Sequence, residues 1–306
     1  MKKVLLTGAS GCTGSYILES LLSSSEFEVI AWVRQKDRLL KHVLDQPNIT
    51  IWEGGLEALD TYRKALKEID VLIHPVTSWG GNDCFQVNLE LTRALFLAMD
   101  PDQCQHIHYF STASIIDTDF QVWNQVWTQG TDYIRSKATL HHWLQHSFSQ
   151  IPVSIYFPSL ILGGDHEHPK TPLSAFLPSL PDYLKWVRYL KARGSFHFIH
   201  AQDIAKILTY RIEHGLPAES LVLGNEALTV NGLMSELLTY YGLPQARFQL
   251  PLEKSFDYLL PLLARQMTSW DRFSLHIRET VYKHTNAATY GLHSDLDTFS
   301  KVLKKL

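Results

Sequence analysis

Short apolar and β-branched runs alternate with segments of helical periodicity through the first half of the chain. Helices predicted between such strands are typical of a parallel sheet with helices on both faces and right-handed crossovers. We therefore expect an α/β fold built on a doubly wound parallel sheet. The strands that the pattern predicts are Lys3–Thr7, Glu28–Val33, Ile49–Trp52, Asp70–His74, His106–Ser111 and Val153–Phe157.

The pattern changes after Phe157, where glycines and prolines accumulate and favour an irregular segment. Alternation then resumes briefly, and the chain is mainly helical from Thr229 onward. The chain is thus expected to divide into residues 1–159, with 198–225 returning to the same sheet, and a smaller, mainly helical part formed by 160–197 and 226–306. The later predicted elements are strands Phe196–Ile199 and Ser220–Leu223, helix Asp203–His214 with Asp203 as N-cap, and a final helix over Phe299–Leu306.

Composition narrows the class of protein. The 306 residues are 45% hydrophobic and carry a net charge of −3, so the chain should fold and has no basic field to attract nucleic acid. The apolar run after the amino terminus, Val4 to Leu6, is too short for a secretory signal, and the run Tyr258–Ala264 is broken by Pro261. We expect a cytoplasmic monomer or homodimer with a small-molecule substrate and no nucleic-acid or membrane partner.

Metal and cysteine chemistry are weakly indicated. The three cysteines, Cys12, Cys84 and Cys104, fit neither a disulfide framework nor a zinc knuckle. His142 and His146 have a metal-compatible spacing but lack a third ligand, and a helix surface is the better interpretation. The His166-Glu167-His168 segment is no more persuasive, so we expect no metal site.

A glycine-rich segment, Thr7-Gly8-Ala9-Ser10-Gly11-Cys12-Thr13-Gly14, joins the first strand to a helix. In that position glycines let the backbone approach a pyrophosphate, which the helix N-terminus then binds through its N–H groups. The structural alternative is a tight turn that binds nothing. Placement between strand and helix favours a dinucleotide site that includes Gly8, Ser10, Gly11, Cys12, Thr13 and Gly14.

Together with Tyr133-Ile-Arg-Ser-Lys137, the GxxGxxG spacing resembles the short-chain dehydrogenase/reductases, whose hallmarks are TGxxGxxG and YxxxK. Matches at 87–92, 110–114, 157–163 and 198–205 resemble the extended branch of that family. The resemblance covers residues 1 to about 225 and implies a Rossmann fold and nicotinamide chemistry. It also implies cofactor contacts at Leu56, Pro75, Val76, Pro158 and Ser159, although Gly54-Gly55-Leu56 and His74-Pro75-Val76-Thr77 depart from the family patterns.

Arg34 stands at the end of the second strand, where a dinucleotide fold contacts the adenosine ribose. A guanidinium there favours the 2′-phosphate of NADP over the 2′-hydroxyl of NAD, and Lys36 adds charge. A solvated surface cluster is the alternative. NADP is therefore the expected cofactor, with NAD possible.

Tyr133 and Lys137 are four residues apart on a predicted helix, so both side chains project from one face. An ammonium and an oxidised nicotinamide would lower the pKa of the tyrosine and let it act as general acid or base. By resemblance Lys137 also holds the nicotinamide ribose, Thr112 is the catalytic hydroxyl with Ser111 and Ser114 as alternatives, and Asn88 supports the site. Trp79, Ile161 and Leu162 follow strands that end on the same edge, and we expect them to line the substrate pocket.

The function expected from these features is NADP-dependent hydride transfer between the nicotinamide and a carbonyl or secondary alcohol. The alternatives are a nucleotide-sugar epimerase or dehydratase with retained NAD, and an NADP(H)-sensing protein without turnover. A basic aromatic segment over 185–193 is expected to be a solvated helix face with Trp186 and Tyr189 turned inward.

Overall fold

The computed structural model describes residues 1–251, 268–276 and 280–306. The apolar run Tyr258–Ala264 lies outside these residues. The strands are β1 (Lys2–Thr7), β2 (Phe27–Val33), β3 (Ile49–Glu53), β4 (Val71–His74), β5 (His106–Phe110), β6 (Val153–Pro158), β7 (Leu160–Leu162), β8 (Leu190–Lys191), β9 (Ser195–Phe196), β10 (Phe198–His200), β11 (Ser220–Leu223), β12 (Leu228–Thr229), β13 (Leu250–Pro251) and β14 (His284–Thr285).

The α-helices are α1 (Cys12–Leu22), α2 (Leu59–Tyr62), α3 (Thr92–Ala98), α4 (Gln125–Gln129), α5 (Asp132–His146), α6 (Pro172–Phe176), α7 (Leu180–Val187), α8 (Ala201–Glu213), α9 (Val230–Tyr240), α10 (Ser269–His276) and α11 (Phe299–Lys305). A π-helical turn over Gln86–Leu91 leads directly into α3. Short 3-10 segments occupy Lys36–Arg38, Lys41–Val43, Leu56–Ala58, Ala65–Glu68, Ala113–Ile115, Leu177–Ser179 and Ala287–Tyr290.

Eight strands form the central sheet in the order β14-β11-β6-β5-β4-β1-β2-β3, and every pairing between them is parallel. The predicted doubly wound α/β fold is confirmed. The chain reverses its direction of strand addition between β1 and β4. In open sheets of this kind, the crevice at the carboxyl ends of the strands beside such a reversal is where ligands bind.

Alternate residues of each central strand face opposite sides of the sheet. Leu5 of β1 packs with α3 and α5 on one face, whereas its neighbours Val4 and Leu6 pack with α1 and α8 on the other. This two-sided burial explains why the strands are almost continuously apolar. A third, smaller core is formed by residues from the second half of the chain, in β7, β10, α7, α9 and α11.

The later sheet differs from the prediction. The strand expected over Phe196–Ile199 is interrupted at His197, and its two halves pair with β12 and β7 outside the central sheet. Ser220–Leu223 does join the sheet, beside β6. The edge strand β14 (His284–Thr285), which completes the eight-stranded sheet, has only two residues and is too short to show a periodic pattern in the sequence.

The proline-rich segment is less irregular than expected. Pro172 begins α6 and Pro181 lies in the first turn of α7, positions where the missing N–H breaks no helical hydrogen bond. The N-cap assigned to Asp203 is wrong, because α8 begins at Ala201 and the ring of His200 accepts the hydrogen bond from the Gln202 N–H. The carboxylate of Asp203 is buried and accepts from the Ser294 hydroxyl at 2.7 Å.

In the described part of the chain, no helix combines the length and the apolar character needed to cross a membrane.

The glycine loop brings α1 unusually close to the end of β1. A Cβ on Gly14 would lie 2.1 Å from the carbonyl oxygen of Gly8, a backbone atom that cannot rotate away. A Cβ on Gly11 would meet that same oxygen at 3.4 Å, which is ordinary contact. The close approach of helix and strand therefore depends on Gly14, and much less on Gly11.

We expect Gly14→Ala to destabilise the protein by about 1–3 kcal/mol, because the added methyl must push α1 away from the β1 loop. The same displacement should abolish dinucleotide binding. Gly11→Ala serves as the control and should keep the wild-type unfolding transition. Urea denaturation of the three proteins measures the change in stability. Equal midpoints for Gly14→Ala and wild type would contradict the packing argument.

Candidate active site

The amino terminus of α1 opens towards the crevice with its backbone N–H groups uncapped by a side chain. Gly11 is the N-cap and makes no side-chain hydrogen bond, and the first turn contains no acidic residue. Gly8 has φ +63, and a Cβ there would lie 2.9 Å from a methyl of Val76, so the loop is compressed against the end of β4. A bare helix N-terminus on a glycine turn fits a pyrophosphate.

The residues predicted to contact the adenosine half lie around this loop. Arg34 is exposed immediately after β2, and Lys36 is exposed with its backbone N–H donating to the Glu53 carboxylate at 3.1 Å. Pro75 and Val76 are half-buried just after β4. Leu56 is 8% exposed and belongs to the core cluster on the α3 and α5 face of the sheet, so it offers little surface to a ligand.

The two predicted contacts at the end of β6 differ in their surroundings. Pro158 is buried, and the hydroxyl of Ser159 donates to the Leu223 carbonyl at 2.9 Å. Ser10 and Thr13, in the glycine loop, are half-buried.

Cys12 is a packing residue and not a reactive thiol. Burial raises its pKa to about 12, against the lowering that a helix N-terminus alone would give. A Cβ on Gly163 would lie 2.7 Å from the Cys12 sulfur. The cysteine thus joins the glycine loop to the segment that leaves β7.

The structure brings the predicted catalytic side chains together at the carboxyl end of β5. Thr112 follows that strand and is 8% exposed, and its hydroxyl lies close enough to Tyr133 on α5 to influence the pKa of that tyrosine. Ser111 is buried beside Tyr109, and Ser114 is exposed. Of the three hydroxyls left open by the sequence, Thr112 is therefore the one that contacts the tyrosine.

Burial raises the pKa of Tyr133 to about 12, and the nearby Thr112 hydroxyl offsets only part of that effect. The lowering expected from the sequence requires an oxidised nicotinamide beside the ring, and it stays a prediction. Lys137, one turn further along α5, is fully buried and donates from Nζ to the Phe110 carbonyl at 2.9 Å. Burial lowers the pKa of Lys137 to about 7, so its charge is itself marginal near neutrality.

Trp79 stacks on the catalytic candidate Tyr133, with ring centroids 4.9 Å apart and planes 21° from parallel. The indole side chain is 65% exposed, so one face covers the tyrosine and the rest borders solvent. Asn88 holds Ser78, the residue that precedes Trp79. The carboxamide oxygen of Asn88 accepts from the Ser78 N–H at 2.7 Å, and its Nδ2 donates to the Ser78 carbonyl and to the Ser136 hydroxyl. Asn88 is therefore a positioning residue between the β4 loop and α5.

One positioning residue has no sequence signal. The hydroxyl of Tyr282 donates to the carbonyls of Ala113 and Ile116 at 3.1 and 3.0 Å, which fastens the turn just after Thr112. Its backbone N–H donates to Nε2 of His197 at 2.9 Å. The contact spans about half the chain, and only the fold brings Tyr282 to this turn.

Other predicted residues lie elsewhere. Ile161 packs with the α1 and α8 face of the sheet and Leu162 is fully buried in the third core, whereas Tyr133 packs against the opposite face of the sheet. Trp186 and Tyr189 are not turned inward, because they are 79% and 43% exposed.

A family model described as NAD(P)H-binding matches residues 8–164, just over half of the chain. The chain belongs to this family. The resemblance to the extended short-chain dehydrogenase/reductases is confirmed, and the protein is an NAD(P)-dependent enzyme of the group that includes oxidoreductases, epimerases and dehydratases.

Two curated relatives are similar in sequence. A sterol-4-alpha-carboxylate 3-dehydrogenase (decarboxylating) from Dictyostelium discoideum is 24% identical over 235 residues, covering 70% of this chain and 69% of the relative. Oxidoreductase AgnL4 from Paecilomyces divaricatus is 22% identical over 103 residues, covering 33% of this chain and 39% of the relative. The chain thus matches well under half the length of the fungal protein.

Solved structures show the same fold over nearly the whole chain. A UDP-N-acetylglucosamine 4-epimerase from Methanobrevibacter ruminantium, in complex with UDP-N-acetylmuramic acid, has TM-score 0.68 and 16% identity, covering 99% of this chain and 96% of that one. The dTDP-glucose 4,6-dehydratase DesIV from Streptomyces venezuelae, with NAD bound, has TM-score 0.68 and 17% identity, covering 99% and 94%.

We expect Lys137→Met to stabilise the ligand-free protein, because it removes a buried ammonium. The pKa of Lys137 is about 7 in the folded state against an ordinary 10.5. Below about pH 7 the folded state bears the full cost of the charge, on the order of 5 kcal/mol, and this cost disappears as the pH rises towards about 10.5.

Denaturation at about pH 6 and about pH 9.5 measures this difference. The free energy of unfolding of Lys137→Met should exceed that of wild type by the largest amount at the lower pH. The exposed control Lys64→Met should have the wild-type value at both pH values. A destabilised Lys137→Met protein at the lower pH would contradict the assignment of a strained buried charge.

Proposed function

We propose that this protein is an NADP-dependent oxidoreductase that transfers hydride between the nicotinamide and a carbonyl or secondary alcohol. The observation that carries the proposal is the placement of Tyr133 beside Thr112 and the buried Lys137, at the carboxyl edge of the sheet that also carries the uncapped α1 N-terminus. When bound, the cofactor supplies the hydride. All other steps belong to side chains of this chain.

The cofactor is held in two places on this proposal. Gly8, Ser10, Gly11, Thr13 and Gly14 surround the pyrophosphate, while Arg34 and Lys36 face the adenosine ribose. Arg34 is exposed, and the described residues offer its guanidinium no carboxylate within ion-pair distance. An exposed guanidinium at the end of β2 is matched to a 2′-phosphate, which it can bind with two donors.

Tyr133 is the proton donor for reduction. Because burial raises its pKa to about 12, the phenol keeps its proton at neutral pH and is ready to give it to a carbonyl oxygen. Thr112 orients the phenol and offers a second hydroxyl to that same oxygen. Protonated Lys137 stabilises the phenolate that remains, and it stands at the position that contacts the nicotinamide ribose in the family it resembles.

Trp79 forms one wall of the substrate site in this proposal. Its indole ring covers one face of Tyr133 and leaves most of its own surface exposed, so a substrate that reaches the phenol has to pass along it. Apolar and planar substrates suit such a wall.

The second candidate is a nucleotide-sugar epimerase or dehydratase with retained NAD. Structures of enzymes with such names overlay almost the entire chain, which is the observation that favours this candidate. It differs from the first in the cofactor, since retained NAD calls for an acid at the ribose where this chain has Arg34. Cofactor preference therefore separates the two.

NADPH should bind at least about tenfold more tightly than NADH, because a charge-assisted contact from Arg34 is worth about 1.5–3 kcal/mol. Arg34→Ala should erase that preference, and the nearby Arg38→Ala should preserve it. Titration calorimetry on the ligand-free protein provides the measurement. Equal affinities in wild type, or a preference for NADH, would transfer the assignment to the second candidate.

Tyr133→Phe should reduce kcat by about 10²–10⁴-fold and leave NADPH affinity nearly unchanged, because the phenol moves a proton and does not hold the cofactor. The exposed Tyr183→Phe is the matched control and should retain activity. Substrates come from a screen of aldehydes, ketones and nucleotide sugars for NADPH consumption. Wild-type rates in Tyr133→Phe would refute the mechanism, and tight NADPH binding with no turned-over substrate would favour the sensing alternative.

A further inference from the structure

Strand β3 ends in a turn that begins with two glycines, next to the end of β2 where Arg34 lies. The register pairs Val33 with Glu53, and the Gly54 N–H donates to the Val33 carbonyl at 2.9 Å. Arg34 and Gly54 are therefore neighbours at the carboxyl edge of the sheet. In the proposed dinucleotide site the pyrophosphate lies at β1 and the adenosine ribose at β2, so the base continues towards β3, the next strand of the sheet.

Two aromatic side chains hold this turn in one shape. The Tyr62 hydroxyl donates to the Glu53 carbonyl at 2.9 Å and accepts from the Glu53 N–H at 3.0 Å. The indole Nε1 of the buried Trp32 donates to the Gly54 carbonyl at 3.0 Å. Gly54 has φ +133, a conformation that favours glycine. The backbone that leads into Gly55 is thus fixed.

The carboxylate of Glu57 occupies the place of a side chain at Gly55. A Cβ on Gly55 would lie 2.2 Å from both oxygens of that carboxylate and 2.4 Å from its Cδ, and these are the three nearest atoms. Gly55 itself has φ −80 and ψ −179, an ordinary extended conformation. The backbone therefore does not require a glycine here, and the missing Cβ instead makes room for the Glu57 carboxylate.

This carboxylate offers hydrogen-bond acceptors at the edge of the sheet. Glu57 is exposed, and in the described part of the chain no N–H or hydroxyl group donates to its oxygens. An ionised carboxylate only accepts hydrogen bonds, and an N–H bond to it is stronger than a bond between neutral groups. Adenine presents a donor at this type of acceptor, its 6-amino group, whereas hypoxanthine has a 6-oxo group in the same position.

We propose that the Glu57 carboxylate binds the 6-amino group of the adenine base, from the place that a side chain of residue 55 would otherwise fill. Glu57 then selects the base, while Arg34 faces the 2′ position of the ribose. The inference rests on the dinucleotide site of the proposed function and not on its preference for NADP. Two adjacent glycines give no sign of an acceptor in the sequence, and only the folded turn brings the Glu57 oxygens back to Gly55.

The test compares dinucleotides that differ in the base alone, by titration calorimetry on the full ligand-free chain. NADPH should bind at least about tenfold more tightly than its hypoxanthine analogue, because the carboxylate repels a 6-oxo group. Glu57→Ala, which removes the carboxylate, and Gly55→Ala, which displaces it, should each reduce this preference to less than about threefold. Glu53→Gln is the matched control and should keep the wild-type preference, because the Glu53 carboxylate accepts instead from the Lys36 N–H.

A second comparison separates recognition of the base from an effect on the turn. Gly55→Asp in the Glu57→Ala background returns a carboxylate to the same place and should restore the preference for adenine. NADH and its hypoxanthine analogue provide the same contrast, so a missing preference for the 2′-phosphate would count against the proposed function and leave this inference intact. Equal affinity for the two bases in wild type, the wild-type preference in Glu57→Ala, or failure of Gly55→Asp to restore it would overturn the inference.

Discussion

The close contact between Gly14 and the Gly8 carbonyl is the constraint on which most of this structure depends. It sets the distance of α1 from the sheet, and α1 in turn packs against α8 through the shared apolar cluster on that face. One end of α1 then presents bare N–H groups to the crevice, and the other end places the Glu19 carboxylate against the imidazoles of His42 and His168. A displacement of α1 would therefore disturb the core, the candidate dinucleotide site and these imidazole contacts together.

The candidate catalytic side chains are held in place by burial, and burial shifts their pKa values. Lys137 is removed from solvent, which lowers the pKa of its ammonium to about 7, while Nζ donates to one carbonyl. Burial shifts the pKa of Tyr133 in the opposite direction, to about 12. Both shifts disfavour the charged form, because desolvation penalises a charge of either sign. The pair thus favours a phenol that keeps a proton to donate, and protonated Lys137 is the positive charge that we propose to stabilise the phenolate that remains.

The region around Tyr133 is assembled from segments that are far apart in the chain. Asn88 connects the loop after β4 to α5, and Tyr282 fastens the turn after Thr112 from near the end of the chain. Trp79 follows the anchored Ser78 and covers the phenol. These contacts position the segments that carry Thr112 and Tyr133, mostly by hydrogen bonds to backbone carbonyls and amides, and they add no charge to the candidate site.

The sequence by itself determined the parallel sheet, the glycine loop and the Tyr133–Lys137 spacing, because strand burial on two faces, glycine geometry and helical periodicity are local and leave a pattern in the chain. It left Thr112 undecided against Ser111 and Ser114, and it gave no measure of how strongly burial disfavours the charged forms of Tyr133 and Lys137. Only the tertiary structure shows that desolvation, as well as the strand His284–Thr285, the anchor at Tyr282 and the meeting of Glu19, His42 and His168. Hydroxyl orientation, desolvation and contacts between distant segments arise from packing in three dimensions, and no spacing along the chain encodes them.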